Sequence, residues 1–208
     1  MKTEQNQINI AVLVSGGGTN LQALIDAQKS GSVSSGEICL VVSSNPEAYA
    51  LVRAKMAGIP TEIIQKSNFS SQNDFENALV NKLNEYGIEL IVLAGFMTIL
   101  SEGFTSRYPE RIINVHPSLI PAFCGKGYYG LKVHEAALNY GVKITGATVH
   151  FVNEVPDGGK IILQKAVIIR KGETPQSLQA RVMRQAEWKI LPRAVQAVCK
   201  DIIASEKN

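Results

Sequence analysis

The chain has 208 residues, 45% of them hydrophobic and 19% charged, and its formal net charge at pH 7 is +3. This length suits one α/β domain, and no apolar run approaches the roughly 18 residues that a membrane-spanning helix needs. The small charge argues against a nucleic-acid surface but permits an anionic small molecule. We therefore expect one domain over residues 1–208, a monomer or weak homodimer, with small-molecule partners, no nucleic acid and no membrane.

The cysteine and histidine residues indicate neither a disulfide framework nor a metal site. Cys39, Cys124 and Cys199 are widely spaced and form no Cys-x-x-Cys pair, a usage typical of a reducing compartment. The histidines at positions 116, 134 and 150 come from different predicted elements, without the spacing of metal ligands. Residues 1–7 are polar and contain no hydrophobic targeting core, so we expect a short lead-in to a cytoplasmic protein.

Apolar runs alternate with helical patterns through the first half of the chain. The predicted strands are 8–14, 38–42, 62–64, 90–94 and 112–115. Strands that alternate with helices predict an α/β fold with a doubly wound, mostly parallel sheet. Two later runs, 147–152 and 160–169, are joined by a short polar turn, which predicts an antiparallel strand element at the C-terminal end.

Capping residues predict where two early helices begin. Thr19 and Gln22 have the spacing of a capping box, which makes Thr19 the N-cap of the first helix. Asn45 and Pro46 predict the start of the second helix, as N-cap and first helical residue. The apolar face expected for that second helix consists of Leu51, Val52 and Met56.

The later helices carry weaker signals. Thr174 and Pro175 predict a helix start, but Ser177 stands where a capping box favours Glu or Gln, so this cap is expected to be weaker than that of Thr19. Pro192 should kink or end this last helix. His134 is expected on a helix surface. Arg184 and Glu187, three residues apart in the last helix, are expected to share a face, where an isolated salt bridge would contribute little stability.

A glycine-rich loop follows the first strand directly. Its sequence, Ser15-Gly16-Gly17-Gly18-Thr19-Asn20, precedes a helix, whose N-terminus provides unpaired amides and a positive dipole end for an anion. The alternative is a tight turn that requires positive φ angles. Leu21 replaces the third glycine of a dinucleotide fingerprint, and no Gly-Lys-Ser/Thr follows, so the loop favours a monophosphate.

Two strand ends carry further candidate site residues. Gly95 follows a buried strand and precedes the apolar run Phe96-Met97-Thr98-Ile99-Leu100, which predicts either a ligand-binding wall or ordinary core. Asn114 and His116 lie two residues apart at the end of the fifth strand, so their side chains share a face where open α/β sheets bind ligands. The alternative is a histidine that is merely satisfied by backbone.

Three residues near the C-terminal strand pair complete the candidate set. Thr148 and His150 alternate onto one face of the sixth strand. Asp157 lies in a Pro-Asp-Gly turn, and on the residues alone local backbone capping is the favoured interpretation of its carboxylate.

Taken together, these motifs resemble the phosphoribosylglycinamide formyltransferases of purine biosynthesis. The motifs are Ser15-Gly16-Gly17-Gly18-Thr19-Asn20-Leu21, Leu93-Ala94-Gly95-Phe96-Met97-x-Ile99-Leu100, Asn114-x-His116-Pro117-Ser118-Leu119-x-Pro121 and Asp157-Gly158-Gly159. The resemblance runs from about residue 8 to about residue 200 and implies the formyltransferase fold. It also implies transfer of a formyl group from 10-formyltetrahydrofolate, the co-substrate, to the amine of glycinamide ribonucleotide.

The resemblance assigns roles to the candidate residues. It implies that the N-terminal half binds the ribonucleotide and the C-terminal half the folate. The implied catalytic residues are Asn114, His116 and Asp157, with Thr148 and His150 in support. The implied ribonucleotide-binding residues are Gly16, Gly17, Gly18, Thr19, Asn20, Gly95, Pro117, Arg184 and Glu187. The implied folate-binding residues are Phe96, Met97, Thr98, Ile99, Leu100, Arg111, Asn114, Val152 and Asp157.

Other functions share parts of this pattern. A formyltetrahydrofolate hydrolase uses the same Asn, His and Asp with water as acceptor, but resembles this chain preceded by a regulatory domain. A methionyl-tRNA formyltransferase would need a further domain and a basic surface. A non-catalytic nucleotide-binding module would not depend on His116. Thr98 stands where many members of the family carry a cationic residue, and Gln72 lies near the position where others have an arginine. The resemblance therefore does not supply the contacts with the folate glutamate tail that those cationic residues would make.

Overall fold

The computed structural model describes residues 7–206. The predicted polar lead-in therefore lies, except for its last residue, outside the described residues. The strands are β1 (Ile8–Val14), β2 (Gly36–Ser43), β3 (Thr61–Ile63), β4 (Leu90–Leu93), β5 (Ile112–His116), β6 (Ile144–Phe151) and β7 (Ile161–Ile168). The helices are α1 (Thr19–Lys29), α2 (Tyr49–Met56), α3 (Gln72–Glu85), α4 (Glu102–Thr105), α5 (Leu131–Tyr140), α6 (Pro175–Val182) and α7 (Trp188–Ser205). Shorter helical turns are a 3-10 turn at Lys66–Asn68 and a π-helical turn at Met183–Glu187.

The strands form a mixed seven-stranded sheet in the order β3-β2-β1-β4-β5-β6-β7. β2 pairs in parallel with β3, and β1 with both β2 and β4. β6 pairs antiparallel with β5 and with β7. This topology confirms the predicted mostly parallel α/β sheet with an antiparallel C-terminal element.

The chain divides into two compact units, of which the first comprises residues 1–100 and 192–208. Its central strand β1 is buried, with residues 11–14 at 0% exposure. A Cβ atom added at Gly36 on β2 would come within 2.6 Å of Ile10 Cδ1 and 2.8 Å of Cys199 Sγ. A side chain at position 36 would therefore displace buried side chains where α7 packs against the parallel strands.

The second unit comprises residues 101–191. In its antiparallel strands, Asn114 pairs with His150 and His116 with Thr148, and Thr148 in turn pairs with Gln164. The register of β6 and β7 shifts by one residue between Val149 and His150. Side chains of paired residues lie on the same face of a sheet, so this register brings polar residues of three strands together.

The predicted capping box at Thr19 is wrong. Gly18 is the N-cap of α1, in a left-handed conformation with φ 69°, and no side chain caps the helix. Thr19 is therefore the first helical residue. Gln22 instead uses its side-chain amide group to bind Asp26 and Arg53.

The predicted start and apolar face of the second helix are also wrong. α2 begins at Tyr49, and Asn45 caps the amide of Glu47 in the preceding turn. Its buried residues are Ala50 and Ala54, whereas Val52 is 45% and Met56 80% exposed. A small residue is needed at position 50 because this face of α2 packs closely on the glycine loop, where a Cβ atom added at Gly18 would lie 2.6 Å from the Cβ of Ala50.

The last helical stretch reverses the expected order of cap strength. Thr174 and Ser177 form a reciprocal capping box at the start of α6, because the serine hydroxyl reaches back to the N-cap amide. Pro192 does not end the helix: it lies inside α7. The irregularity is the π-helical turn that precedes it.

His134 was predicted to lie on a helix surface, and this prediction is wrong. Its side chain is 1% exposed, and neither ring nitrogen has a hydrogen-bond partner among residues 7–206. Burial lowers the pKa of His134 to about 4, with a smaller contribution from the charge of His116. The ring is therefore neutral at pH 7.

Within residues 7–206, no helix has the length and apolar character needed to cross a membrane.

Candidate active site

Five polar side chains of the second unit lie together around the end of β5. Asn114 and His116 project from one face of β5, with His150 and Thr148 opposite them on β6. Asp157 lies in the turn that follows β6. The sequence predicted a catalytic role for three of these residues and a supporting role for the other two, and the antiparallel register explains why they converge.

The imidazole of His116 is held by partners on both ring nitrogens. Its Nε2 atom lies 2.8 Å from the backbone oxygen of Phe123, and its Nδ1 atom lies 3.4 Å from Oδ2 of Asp157. Because a carbonyl oxygen only accepts, Nε2 carries the hydrogen. The protonated ring would donate to both oxygens, so the ring is placed to hold and release a proton.

His150 fixes the orientation of the Asn114 amide. Its Nδ1 atom lies 2.7 Å from the carbonyl oxygen of Phe151 and therefore donates. In the neutral ring the Nε2 atom then accepts from Nδ2 of Asn114, 3.3 Å away, whereas in the protonated ring it is a donor that faces Oδ1 of Asp157 at 3.6 Å. One N–H bond of the Asn114 side chain remains to donate to a ligand.

The local turn interpretation of Asp157 is wrong. Its Oδ2 atom accepts from the amide of Gly125, 2.8 Å away and 32 residues earlier, and its carboxylate faces both His116 and His150. Asp157 adopts a left-handed backbone with φ 56°, which is uncommon outside glycine and clusters at functional sites. The turn therefore serves to aim the carboxylate.

Burial and charge shift the pKa values of this pair. Burial lowers the pKa of His116 below its ordinary 6.5, and the facing Asp157 carboxylate offsets only part of that effect. For Asp157, burial acts to raise the pKa, but a hydrogen bond with His150, the charge of His116 and the Gly125 amide together hold it below the ordinary 3.8. A neutral imidazole beside a carboxylate can accept a proton near neutral pH.

The sequence analysis assigned Thr148 a supporting role but missed Gln164, which together with Thr148 holds the loop after His116. The Thr148 hydroxyl donates to the Ser118 carbonyl and accepts from the Ile120 amide. Gln164 on β7 donates to both the Thr148 hydroxyl and the Ile120 carbonyl, each at 3.0 Å. The position of Gln164 opposite Thr148 in the predicted hairpin was the signal available. Phe123, whose backbone contacts His116, carried no such signal.

The glycines of the loop in the first unit differ in role: one is needed for a turn with positive φ, and the other two leave backbone open to an anion. Gly18 has a positive φ of 69° and meets a structural need. Gly16 and Gly17 do not: their φ angles are ordinary, they are exposed, and an added Cβ would meet no atom within 4 Å. The loop leads into α1, whose first amides have no helical acceptor. An open backbone surface at a helix N-terminus is suited to an anion.

The segment after β4 is anchored by two polar side chains of the same unit. Ser15 accepts from the amide of Met97 at 2.9 Å, and Gln72 donates to the carbonyl of Ile99 at 3.1 Å. Gln72 thus positions this segment. Met97 is 56% and Ile99 69% exposed; Leu100 is buried, and Phe96 and Thr98 are half-buried. Exposed apolar side chains on an anchored backbone are suited to a flat organic ring.

The remaining candidates of the second unit lie in different environments. Arg184 is exposed and donates to the Ala180 carbonyl, whereas Glu187 is 5% exposed. Both residues lie within the π-helical turn Met183–Glu187, where Arg184 faces solvent and Glu187 is buried. Arg111, Pro117 and Val152 are half-buried, and the amide of Val152 donates to the Ile112 carbonyl.

Groups of three or more His, Cys, Asp or Glu side chains that could hold a metal ion are absent from residues 7–206. The cluster around His116 is thus built of one amide, two imidazoles, one hydroxyl and one carboxylate. These groups can donate hydrogen bonds to a developing oxyanion and transfer protons.

The chain is similar to proteins of one family along most of its length. The formyl transferase family profile matches residues 8–195. Phosphoribosylglycinamide formyltransferase of Haemophilus influenzae is 43% identical over 186 residues, covering 89% of this chain and 84% of that protein. The crystal structure of glycinamide ribonucleotide transformylase 1 from Symbiobacterium toebii has a TM-score of 0.89 at 38% identity, covering 97% of this chain and 92% of that chain.

A longer relative is the trifunctional purine biosynthetic protein adenosine-3 of Gallus gallus, which is 43% identical over 202 residues. That match covers 97% of this chain but 19% of the relative, so the chain spans about a fifth of such a protein. The shorter relatives, by contrast, are matched over most of their length. The chain therefore belongs to the formyl transferase family and, within it, to the phosphoribosylglycinamide formyltransferases.

Proposed function

We propose that this enzyme transfers the formyl group of 10-formyltetrahydrofolate to the amine of glycinamide ribonucleotide in purine biosynthesis. The observation that carries the proposal is the contact of His116 with Asp157 beside Asn114, in a chain of this family. The proposal includes a single domain, as a monomer or weak homodimer, that acts on small molecules and on neither nucleic acid nor membranes. Three free cysteines fit a cytoplasmic location.

The chemistry requires an oxyanion donor and proton transfer. The substrate amine attacks the formyl carbon and forms a tetrahedral centre whose oxygen carries negative charge. The remaining N–H of Asn114 donates to that oxygen, together with His116 in its protonated form. The bond from the carbon to folate N10 then breaks; the amine loses a proton and N10 gains one. His116 and Asp157 move these protons directly or through water.

Binding roles follow the chemistry of each segment. The open backbone of Gly16, Gly17 and Gly18, with Thr19 and Asn20, binds the ribonucleotide phosphate, which is an anion. Arg184 supplies a cation to the same substrate, and Glu187, Gly95 and Pro117 contact its amine or ribose. The folate is bound by the segment Phe96–Leu100 and by Arg111, Asn114, Val152 and Asp157. Thr148 and His150 hold the catalytic residues in place.

A two-condition assay tests the proposal. Folate absorbance is followed with 10-formyltetrahydrofolate in the presence and in the absence of glycinamide ribonucleotide. We expect turnover only when the ribonucleotide is present, with formylated ribonucleotide as product. Equal rates in both conditions would mean that water is the acceptor, and the enzyme would be a hydrolase. No turnover in either condition would remove the catalytic proposal.

A further inference from the structure

Helix α2 donates two hydrogen bonds to consecutive carbonyl groups of the glycine loop. The amide of Ala50 donates to the Gly16 oxygen at 3.1 Å, and Nε of Arg53 donates to the Gly17 oxygen at 2.8 Å. Ala50 and Arg53 lie three residues apart and so share one face of α2. Both carbonyl groups are therefore directed at the same helix.

The direction of these carbonyls sets the direction of the next amides. In a trans peptide, the C=O bond of one residue and the N–H bond of the following residue point in opposite directions. The amides of Gly17 and Gly18 must then point away from α2. Neither amide donates to a backbone carbonyl among residues 7–206. Two successive amides with a common direction form a concave anion-binding nest.

Arg53 is itself held in one conformation. Its Nη1 atom donates to Oε1 of Gln22 at 3.1 Å, and its guanidinium group lies 5.0 Å from the centroid of the Tyr49 ring. A Cβ atom added at Gly18 would lie 2.6 Å from the Cβ of Ala50, so loop and helix are in direct contact. Arg53 therefore joins α1, α2 and the loop in one bonded arrangement.

We propose that Arg53 is a positioning residue for the phosphate group of the ribonucleotide. It does so by holding the Gly17 carbonyl against α2, so that the Gly18 amide, beside that of Gly17, is presented to the phosphate. The proposal rests on the function proposed above. It concerns hydrogen-bond geometry and not the positive charge of Arg53, because the guanidinium is committed to Gly17 and Gln22.

Three variants separate geometry from charge. Arg53→Met removes both the hydrogen bonds and the charge, Arg53→Lys keeps the charge without the guanidinium fork, and Lys55→Met removes an exposed charge from the same helix. Each variant is checked for folding by circular dichroism and thermal melting. The KM for each substrate and kcat are measured. Inorganic phosphate is then titrated into glycine-labelled protein while the amide signals of Gly17 and Gly18 are followed by NMR.

We expect Arg53→Met to raise the KM for glycinamide ribonucleotide about tenfold, with kcat and the folate KM nearly unchanged. The phosphate concentration that half-saturates the two amide shifts should rise by a similar factor. Arg53→Lys should stay close to Arg53→Met, and Lys55→Met close to the unmodified enzyme. If Arg53→Met does not fold, the test is the comparison of Arg53→Lys with Lys55→Met, in the KM for the ribonucleotide and in the phosphate titration of the two amides.

Several results would overturn the inference. These are wild-type behaviour of Arg53→Lys, equal phosphate affinity in Arg53→Met and Lys55→Met, or amide signals of the unmodified enzyme that do not respond to phosphate. Failure of the proposed function is distinguishable, because it would appear as absent ribonucleotide-dependent turnover in the unmodified enzyme. In that case the phosphate titration still decides whether Arg53 sets the two amides.

Discussion

Asp157 Oδ2 lies 3.4 Å from Nδ1 of His116, although the two residues are 41 positions apart in the chain. The opposite ring nitrogen of His116 is bound to the Phe123 carbonyl, so the imidazole has one orientation in the site. Any group that takes a proton from this ring must displace or replace one of the two oxygens. This arrangement makes the effects of substitution predictable.

Replacement of His116 by alanine should lower kcat by about 10²- to 10⁴-fold, because the ring supplies both a proton and an oxyanion donor. The measurement is formyl transfer to glycinamide ribonucleotide under saturating substrates. His116→Asn is the matched variant: it keeps a donor without a titrating proton and should remain impaired. Near-normal turnover in both variants would remove His116 from the mechanism.

Asp157→Asn should lower kcat and also lower the pKa of His116. The carboxylate partly offsets the effect of burial on that imidazole, and its charge is lost in the variant. The pKa of His116 therefore moves further below 6.5, and the acid limb of the pH-rate profile moves to lower pH. NMR titration of the His116 ring protons measures the shift. An upward shift would contradict the assigned interaction.

His134→Leu should reduce the dependence of stability on pH. The pKa of the buried ring is about 4, whereas that of the unfolded chain is near 6.5, so protonation favours the unfolded state as pH falls below 6.5. Protonation of this group should lower the free energy of unfolding by about 2 kcal/mol between pH 7 and pH 5. Urea denaturation at pH 7 and pH 5 measures the loss. Equal losses in the variant and the unmodified protein would show that His134 does not cause it.

Arg184→Ala should raise the KM for glycinamide ribonucleotide about tenfold, since a charge-assisted contact to phosphate would be lost. The side chain is exposed in the structure and its Nε atom contacts one backbone oxygen, so folding should be unaffected. Lys189→Ala, which removes an exposed charge nearby, is the control. An effect confined to the folate KM would place Arg184 with the other substrate.

Thr174→Ala should lower the free energy of unfolding by about 1 kcal/mol, because its hydroxyl caps α6. Thr19→Ala is the comparison, since no side chain caps α1. Urea denaturation curves of both variants make the test. A larger loss in Thr19→Ala would contradict the observed caps.

The strands were predictable because alternation and apolar runs report burial directly. β1 has the predicted bounds, and each of the other predicted strands is found within a few residues of its expected position. The helix caps were less predictable. Gly18 is the N-cap of α1 because the loop packs directly against Ala50 of α2, and such packing between segments leaves no local sequence pattern. Solvent exposure of Val52 and Met56 has the same cause: α2 needs alanines where it meets the glycine loop.

The candidate site was likewise predictable where a local pattern determines it and not where contacts between distant segments do. Asn114 and His116 were identified from spacing on one strand, but their relation to His150 depends on the register of β5 and β6. For Asp157 the local residues alone favoured a turn role and only the family resemblance indicated a catalytic one, since its left-handed backbone and its contact with the Gly125 amide are set by distant parts of the unit. Long-range partners of this kind leave no local pattern.

The π-helical turn has a counterpart in the amino-acid sequence. Between positions 181 and 199, buried residues of the last helical stretch form the adjacent pairs 181/182, 186/187, 190/191, 194/195 and 198/199. The first step between pairs is five residues and the later steps are four. A turn with i→i+5 hydrogen bonds absorbs the additional residue and keeps one continuous buried stripe. A single five-residue step in an otherwise four-residue pattern of buried pairs therefore indicates a π-helical turn from the sequence alone. Here it is the turn in which Arg184 is exposed and Glu187 is buried.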